Sequence, residues 1–265
     1  MRALSVHPDV VVVVSAVWQT TCTAVRAGEE GFLIDSPVLP EELEALPGVL
    51  EQAGFPVSGL LVSHADWDHL LGRLAFPHSA LGCAQSSAAR LAAEPAAAQR
   101  ALRRFDEEHY IERPRGLGLA GVQGLPVPGG VGLGEQQELA LHPAAGHTSD
   151  GMAVWMPWTR TLICGDYLSP VEIPMLSPGG SLEAYLDTLE RLAPLVEEAE
   201  AIVPGHGAPL DRDAASRLLS EDVEYLRSLA GSGIAAPLPP GRRTHEQRRI
   251  HAENATARSA VPKRS

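Results

Sequence analysis

The chain has 265 residues, of which 45% are hydrophobic and 20% charged, a composition that excludes a largely disordered protein. Its formal charge of −12, from 21 Lys and Arg against 33 Asp and Glu, argues against a nucleic-acid binder, whose affinity rests on neutralising phosphates. Cys22, Cys83 and Cys164 are far apart and form neither a disulfide framework nor a CxxC zinc pattern, so they read as buried thiols in a reducing compartment.

Val10–Val14 is a continuous β-branched run, as in a strand buried on both faces. It is too short to span a bilayer, and no small-residue cleavage site follows it, so the expectation is a soluble cytoplasmic protein. Residues 20–26 and 32–35 flank a Gly-containing turn and read as a hairpin. Pro40, followed by Glu41 and Glu42, opens a helix that stops near Gly54. Residues 57–62 form the next strand and run directly into His64. Residues 85–110 are Ala-rich and helix-favouring with a break at Pro95, and 112–134 is a Gly/Pro-rich loop with short strands. The stretch from about 85 to 125 therefore reads as an insertion or lid. Strands are expected at 138–142, Met152–Met156, 161–164 and Ala201–Val203, with helices at 182–192 and 214–229. One domain over 1–230 is followed by a linker and a basic helix or tail over 231–265, which holds seven basic and two acidic residues. That tail is expected to dock on the acidic body; a dimer arm or a contact to an anionic substrate is the alternative.

The chemistry is concentrated in Ser63-His64-Ala65-Asp66-Trp67-Asp68-His69. Two His and two Asp at this density have no packing role and would be costly to bury unpaired. Gly146-His147-Thr148, Gly165-Asp166-Tyr167 and Gly205-His206-Gly207 share one grammar: a strand, a Gly turn, and one His or Asp. Imidazoles and carboxylates in this mixture suit Zn, Mn or Fe.

These residues resemble the signature of the metallo-β-lactamase superfamily, HxHxDH followed by His, Asp and His. Here it reads HADWDH at 64–69, then His147, Asp166 and His206. The resemblance implies an α/β fold, an αββα sandwich of two mixed sheets flanked by helices, with a site at one sheet edge. It implies that His64, Asp66 and His147 hold one divalent metal ion and that Asp68, His69 and His206 hold a second. Asp166 would bridge them, and a hydroxide between the metals would be the nucleophile. Asp68 and Tyr167 are the expected catalytic side chains, Tyr167 as an oxyanion donor. Asp66 departs from the family pattern, which has His there. An extra carboxylate makes the site harder and a weaker Lewis acid, so Zn is the first expectation with Mn or Fe tolerated. If Asp66 falls short of the metal, the site is mononuclear instead. Asp35, Ser63 and Asp150 are candidate supports for the ligand histidines, and Trp67 is the best candidate for a pocket wall.

The resemblance makes a metal-dependent hydrolase of a small ester, thioester or lactone the first expectation. An iron-dependent oxidoreductase of persulfide dioxygenase type is the alternative, favoured by Asp66. The expected partner is a small molecule, with neither nucleic acid nor membrane, and a homodimer would be ordinary for the family.

Overall fold

The computed structural model describes residues 1–259. Four antiparallel strands open the chain: β1 (Arg2–His7), β2 (Val10–Val14), β3 (Thr21–Ala27) and β4 (Glu30–Asp35). Every residue of β2 is buried. Val10, Val12 and Val14 enter one core and Val11 and Val13 another, the period-2 alternation of a strand covered on both faces. The edge strand β1 is half exposed and mixed in polarity, so no sequence signal marked it.

α1 (Pro40–Gln52) begins with a proline and two acidic residues, and its buried Leu43, Leu46 and Leu50 form one stripe. Then come β5 (Gly59–Val62), α2 (Gly72–Ala75) and β6 (Ala80–Ala84). α3 (Gln85–Ala93) and α4 (Ala97–His109) follow, broken where Pro95 was expected to break them. They lead to β7 (Val122–Leu125), which pairs parallel with β6. The segment read as an insertion thus also supplies the last strand of a seven-stranded sheet, β1 to β7 in sequence order.

The second sheet has the order β12-β11-β10-β9-β8, built from β8 (Gly129–Leu133), β9 (Gln137–Pro143), β10 (Met152–Met156), β11 (Thr161–Ile163) and β12 (Ala201–Val203). Both sheets are mixed: β4 to β7 run parallel in the first, and β11 with β12 in the second. α5 (Leu182–Glu198) and α6 (Arg212–Ser232) are capped by Ser181 and Asp211, and α7 (His245–Ser259) ends the described chain.

Three apolar clusters define the layers. Val12, Ile34 and Leu61 of the first sheet meet Leu141, Val154 and Val203 of the second between the sheets. Leu33 of the first sheet clusters with Leu46 of α1 and Leu102 of α4. Leu162 of the second clusters with Leu189 of α5, Leu226 of α6 and Ile250 of α7. The result is the expected αββα sandwich. All three cysteines are buried and free. Among the described residues no helix is long and apolar enough to cross a membrane.

The basic tail docks on the body, although its last residues, 260–265, lie outside the described ones. Arg242 is 2% exposed, with Nη1 2.6 Å from Asp222 Oδ1 and Nη2 3.0 Å from Glu221 Oε2. Arg242→Ala is expected to destabilise the fold by about 3–5 kcal/mol in urea unfolding, because it strands the fully buried Asp222 carboxylate.

Candidate metal centre

Four strand ends converge on one edge where the two sheets meet. His64 follows β5, and Asp66, Asp68 and His69 lie in or beside a single 3-10 turn, Trp67–His69. His147 lies in the β9–β10 loop, Asp166 just after β11, and His206 just after β12. Backbone bonds stitch this edge together. Met152 N–H donates to the Ser63 carbonyl (2.7 Å), Gly205 N–H to that of Gly165 (2.6 Å), and Thr21 N–H to that of Gly205 (2.8 Å). A Cβ at Gly205 would fall 2.1 Å from Asp166 Oδ1, and one at Gly146, where φ is +136°, would fall 2.3 Å from the Tyr185 backbone. At both positions only glycine leaves the neighbouring ligand in place.

The structure brings all seven predicted ligands together, in three overlapping groups: His64, Asp66 and His147; His64, His69 and Asp166; Asp68, His69 and His206. Asp166 divides its two oxygens between them. Oδ2 lies 3.6 Å from His64 Nε2 and 3.2 Å from His147 Nε2, while Oδ1 lies 3.2 Å from His69 Nε2 and 3.4 Å from His206 Nε2. Asp66 Oδ2 completes the first half, 3.5 Å from His147 Nε2 and 3.8 Å from His64 Nε2. Asp68 Oδ2 completes the second, 3.5 Å from His206 Nε2 and 3.7 Å from His69 Nε2.

The outer ring nitrogens are held from behind. His147 Nδ1 lies 2.9 Å from the Met175 carbonyl, and His206 Nδ1 lies 3.2 Å from that of Trp18. A carbonyl only accepts, so both Nδ1 atoms carry the proton and both Nε2 lone pairs face inward when the rings are neutral. His69 Nδ1 sits 3.2 Å from Asp35 Oδ2, and His64 Nδ1 sits 3.0 Å from Ser63 Oγ. Ser63 thus hydrogen-bonds a ring as expected, while Asp35 stands beside the His69 ring as a charged neighbour. Inward, Nε2 of His64, His69 and His147 and Oδ1 of Asp166 are buried with no hydrogen-bond partner. Buried polar atoms are rarely left so, and cations seated in the overlapping groups would satisfy them. The residues therefore fit a pair of divalent ions.

Among the described residues, four of the seven non-glycine positions with positive φ lie beside these groups. Trp18, Gln19, Asp35 and Leu168 have φ between +50° and +60° without being glycine. Each such residue costs on the order of 1–3 kcal/mol, and such strain gathers at functional sites.

Arg90 was not foreseen from the sequence. It projects from α3 and donates from Nη2 to Asp66 Oδ1 (2.7 Å) and from Nη1 to Asp150 Oδ1 (2.8 Å). Asp150 in turn accepts from Ala65 N–H (2.9 Å), so it supports the ligand loop and Arg90 rather than a histidine ring. The guanidinium offsets the negative charge that Asp66 brings and turns the other Asp66 oxygen toward the centre. An arginine in an Ala-rich helix carries no motif. The only available signal was that a carboxylate at position 66 needs a cation beside it.

Tyr167 corrects an expectation. Its hydroxyl is buried, donates to the Ala144 carbonyl (3.2 Å) and accepts from His147 N–H (3.1 Å). Committed to backbone on both sides, it positions His147 and has no free donor for an oxyanion. Trp67 packs edge-on to Trp18 with centroids 5.7 Å apart, and both meet Phe105 of α4. Trp18 is 45% exposed and forms the outer part of this aromatic wall.

Burial and charge compete throughout the cluster. Burial raises the Asp166 carboxyl, but His206, His69, His64 and His147 together hold it well below the usual carboxylate range. Burial lowers the imidazoles. At His147 this is outweighed by Asp166 and Asp66, which push it up to about 9, and at His206 by Asp166 and Glu172, which push it up to about 10. His64 moves the other way, through burial and its neighbour His69.

These shifts set a pH dependence for the metal-free protein. With folded values of about 9 and 10 against the ordinary 6.5, the two imidazoliums stabilise the fold fully below 6.5, and that stability is lost as pH rises through 9 and 10. Thermal unfolding of chelator-treated protein should show Tm falling over this range, whereas metal-loaded protein should show no such fall, because the ions take the place of the protons. Arg90→Met, which keeps the length but removes the donors, should weaken retention of one ion by roughly 10- to 100-fold, read by elemental analysis after dialysis.

A family model described as the metallo-beta-lactamase superfamily matches residues 16–206, from the loop that holds Trp18 to the last site histidine. Among solved structures, a metallo-beta-lactamase family protein from Thermus thermophilus is similar, with a TM-score of 0.69, 19% identity, and coverage of 96% of this chain and 93% of that one. A protein solved in a di-iron-bound form gives 0.62 at 21% identity, covering 78% and 97%. A stereoselective inverting sec-alkylsulfatase from Pseudomonas sp. gives 0.68 at 14% identity, covering 88% of this chain but 42% of that longer one. These likenesses bear on the fold alone, while the family match spans all seven converging ligands; the chain belongs to the metallo-beta-lactamase superfamily.

Proposed function

We propose that the protein is a dinuclear metallo-hydrolase acting on a small ester, thioester or lactone. The observation that carries the reading is the division of Asp166 between two half-sites, each completed by two imidazoles and one further carboxylate. Bound there, two divalent ions would supply Lewis-acid polarisation of the carbonyl and a water activated at neutral pH.

The chain's own groups have definable parts in this reading. His64, Asp66 and His147 would hold one ion and Asp68, His69 and His206 the other, with Asp166 offering one oxygen to each half-site. Asp68 is assigned the proton-transfer part as the expected catalytic carboxylate of the ligand turn, its Oδ2 lying beside the second half-site. Trp18, Trp67 and Phe105 form an apolar wall beside the ligand turn and favour a substrate with an apolar group next to its carbonyl. The net charge of −12 disfavours a polyanionic substrate such as nucleic acid. The three unpaired buried thiols favour a reducing, cytoplasmic setting.

Asp66 supports a second reading, an iron-dependent oxidoreductase of persulfide dioxygenase type, because a hard oxygen donor at this position suits iron. A panel of chromogenic esters, thioesters, lactones and phosphodiesters, given to protein loaded with Zn, Mn or Fe, separates the two. Turnover of a carbonyl substrate, lowered more than about 100-fold by Asp166→Ala, is the expected result. Inactivity on the whole panel, together with oxygen uptake in the presence of a persulfide, would replace the first reading with the second.

A further inference from the structure

Beyond His206 the chain leaves the segment matched by the family model, yet it returns to the metal centre from behind. The loop after Asp166 runs from Ser169 to Ser177 and touches a ligand from each half-site. Its Met175 carbonyl accepts from His147 Nδ1 (2.9 Å), and Ser177 N–H donates to the His147 carbonyl (2.9 Å). Ser169 Oγ donates to the His206 carbonyl (2.8 Å). Among the described residues this loop contains no helix or strand, so its own backbone groups need partners from elsewhere.

The C-terminal segment supplies them. Arg242 Nη1 donates to the carbonyls of Ser169 (3.2 Å) and Glu172 (2.9 Å). Gln247 Oε1 accepts from Ile173 N–H (2.7 Å). Asn254 Oδ1 accepts from Leu176 N–H (2.8 Å), and its Nδ2 donates to the Pro174 carbonyl (2.6 Å). The bonds to residues 173, 174 and 176 bracket Met175. Gln247 is 3% exposed and Asn254 fully buried. Burying an amide is unfavourable unless it is hydrogen-bonded, and here the bonds fall mainly on one short run of loop backbone.

We infer that Arg242, Gln247 and Asn254 are positioning residues for the metal centre: they fix the loop whose Met175 carbonyl orients His147, and so set the affinity for the ion held by His64, Asp66 and His147. This rests on the dinuclear reading of the site. His147 has its ring aimed by this one carbonyl, whereas the His69 ring faces the Asp35 carboxylate of the first sheet and no group of this loop. Loosening the loop should therefore affect the first position more than the second.

The test is metal titration of chelator-stripped full-length protein with Zn and with Co, the latter giving an absorption spectrum for the bound ion. Asn254→Ala and Gln247→Ala are compared with Ile250→Ala, which removes core packing from the same helix but no bond to the loop. The expected result is about a tenfold loss of affinity for one of two ions in Asn254→Ala and Gln247→Ala, the low end of the range for outer supports of metal ligands. The downfield Nδ1–H resonance of His147 should be lost or shifted in both. Gln247→Glu, which keeps the accepting oxygen, should restore affinity. Ile250→Ala should lower Tm without changing affinity. Unchanged affinity in Asn254→Ala and Gln247→Ala, or an equal loss in Ile250→Ala, would overturn the positioning role while leaving the centre intact. Wild-type protein that binds no metal would instead overturn the centre and this role with it.

Discussion

Asp166 faces four imidazoles from the end of a short central strand, and much of the local architecture serves that arrangement. A buried carboxylate is costly unless positive charge surrounds it on every open side. Here one oxygen meets His64 and His147 and the other meets His69 and His206, so neither can be moved without stranding the rest. Holding the group in place requires a backbone neighbour with no side chain at Gly205 and a hydroxyl from Tyr185, which donates to the Asp166 carbonyl at 2.9 Å. The two sheets are brought to one edge because the residues that satisfy this carboxylate come from both.

Around that centre the protein places buried polarity in a graded way. The ligands are backed by Asp35, Ser63 and two main-chain carbonyls. Those supports are backed in turn by Arg90 with Asp150 on one side and by the C-terminal segment on the other. Each layer converts a flexible group into one with a single orientation, and pre-set ligand directions keep a metal site from having to reorganise as it fills.

The converging His and Asp side chains were legible in the sequence because they stand in short motifs after strands: HADWDH, and single residues beside glycines at 146, 165 and 205. The sandwich came with the resemblance those motifs carry, while Val10–Val14 and Met152–Met156 by themselves read as buried strands. Arg90 was not legible, because its role depends on α3 packing beside the ligand turn, and no local pattern records that. Tyr167 was misread because adjacency in sequence to Asp166 says nothing about where a phenol hydroxyl points; here it points into backbone. Docking of the basic tail on the acidic body was the first expectation its charge raised, but no local pattern singled out the amides at 247 and 254, which are buried.

Trp18 joins two roles that use different parts of one residue. Its indole is part of the aromatic wall, while its carbonyl, turned inward by a left-handed backbone, accepts from His206. The chemical identity of the side chain does not enter the second role. The wall and the support of His206 are therefore separable at this residue, and the wall can be rebuilt by exchanging one indole while the hydrogen bond to His206 is kept. A scaffold arranged in this way can diversify what it recognises without putting its reactive core at risk.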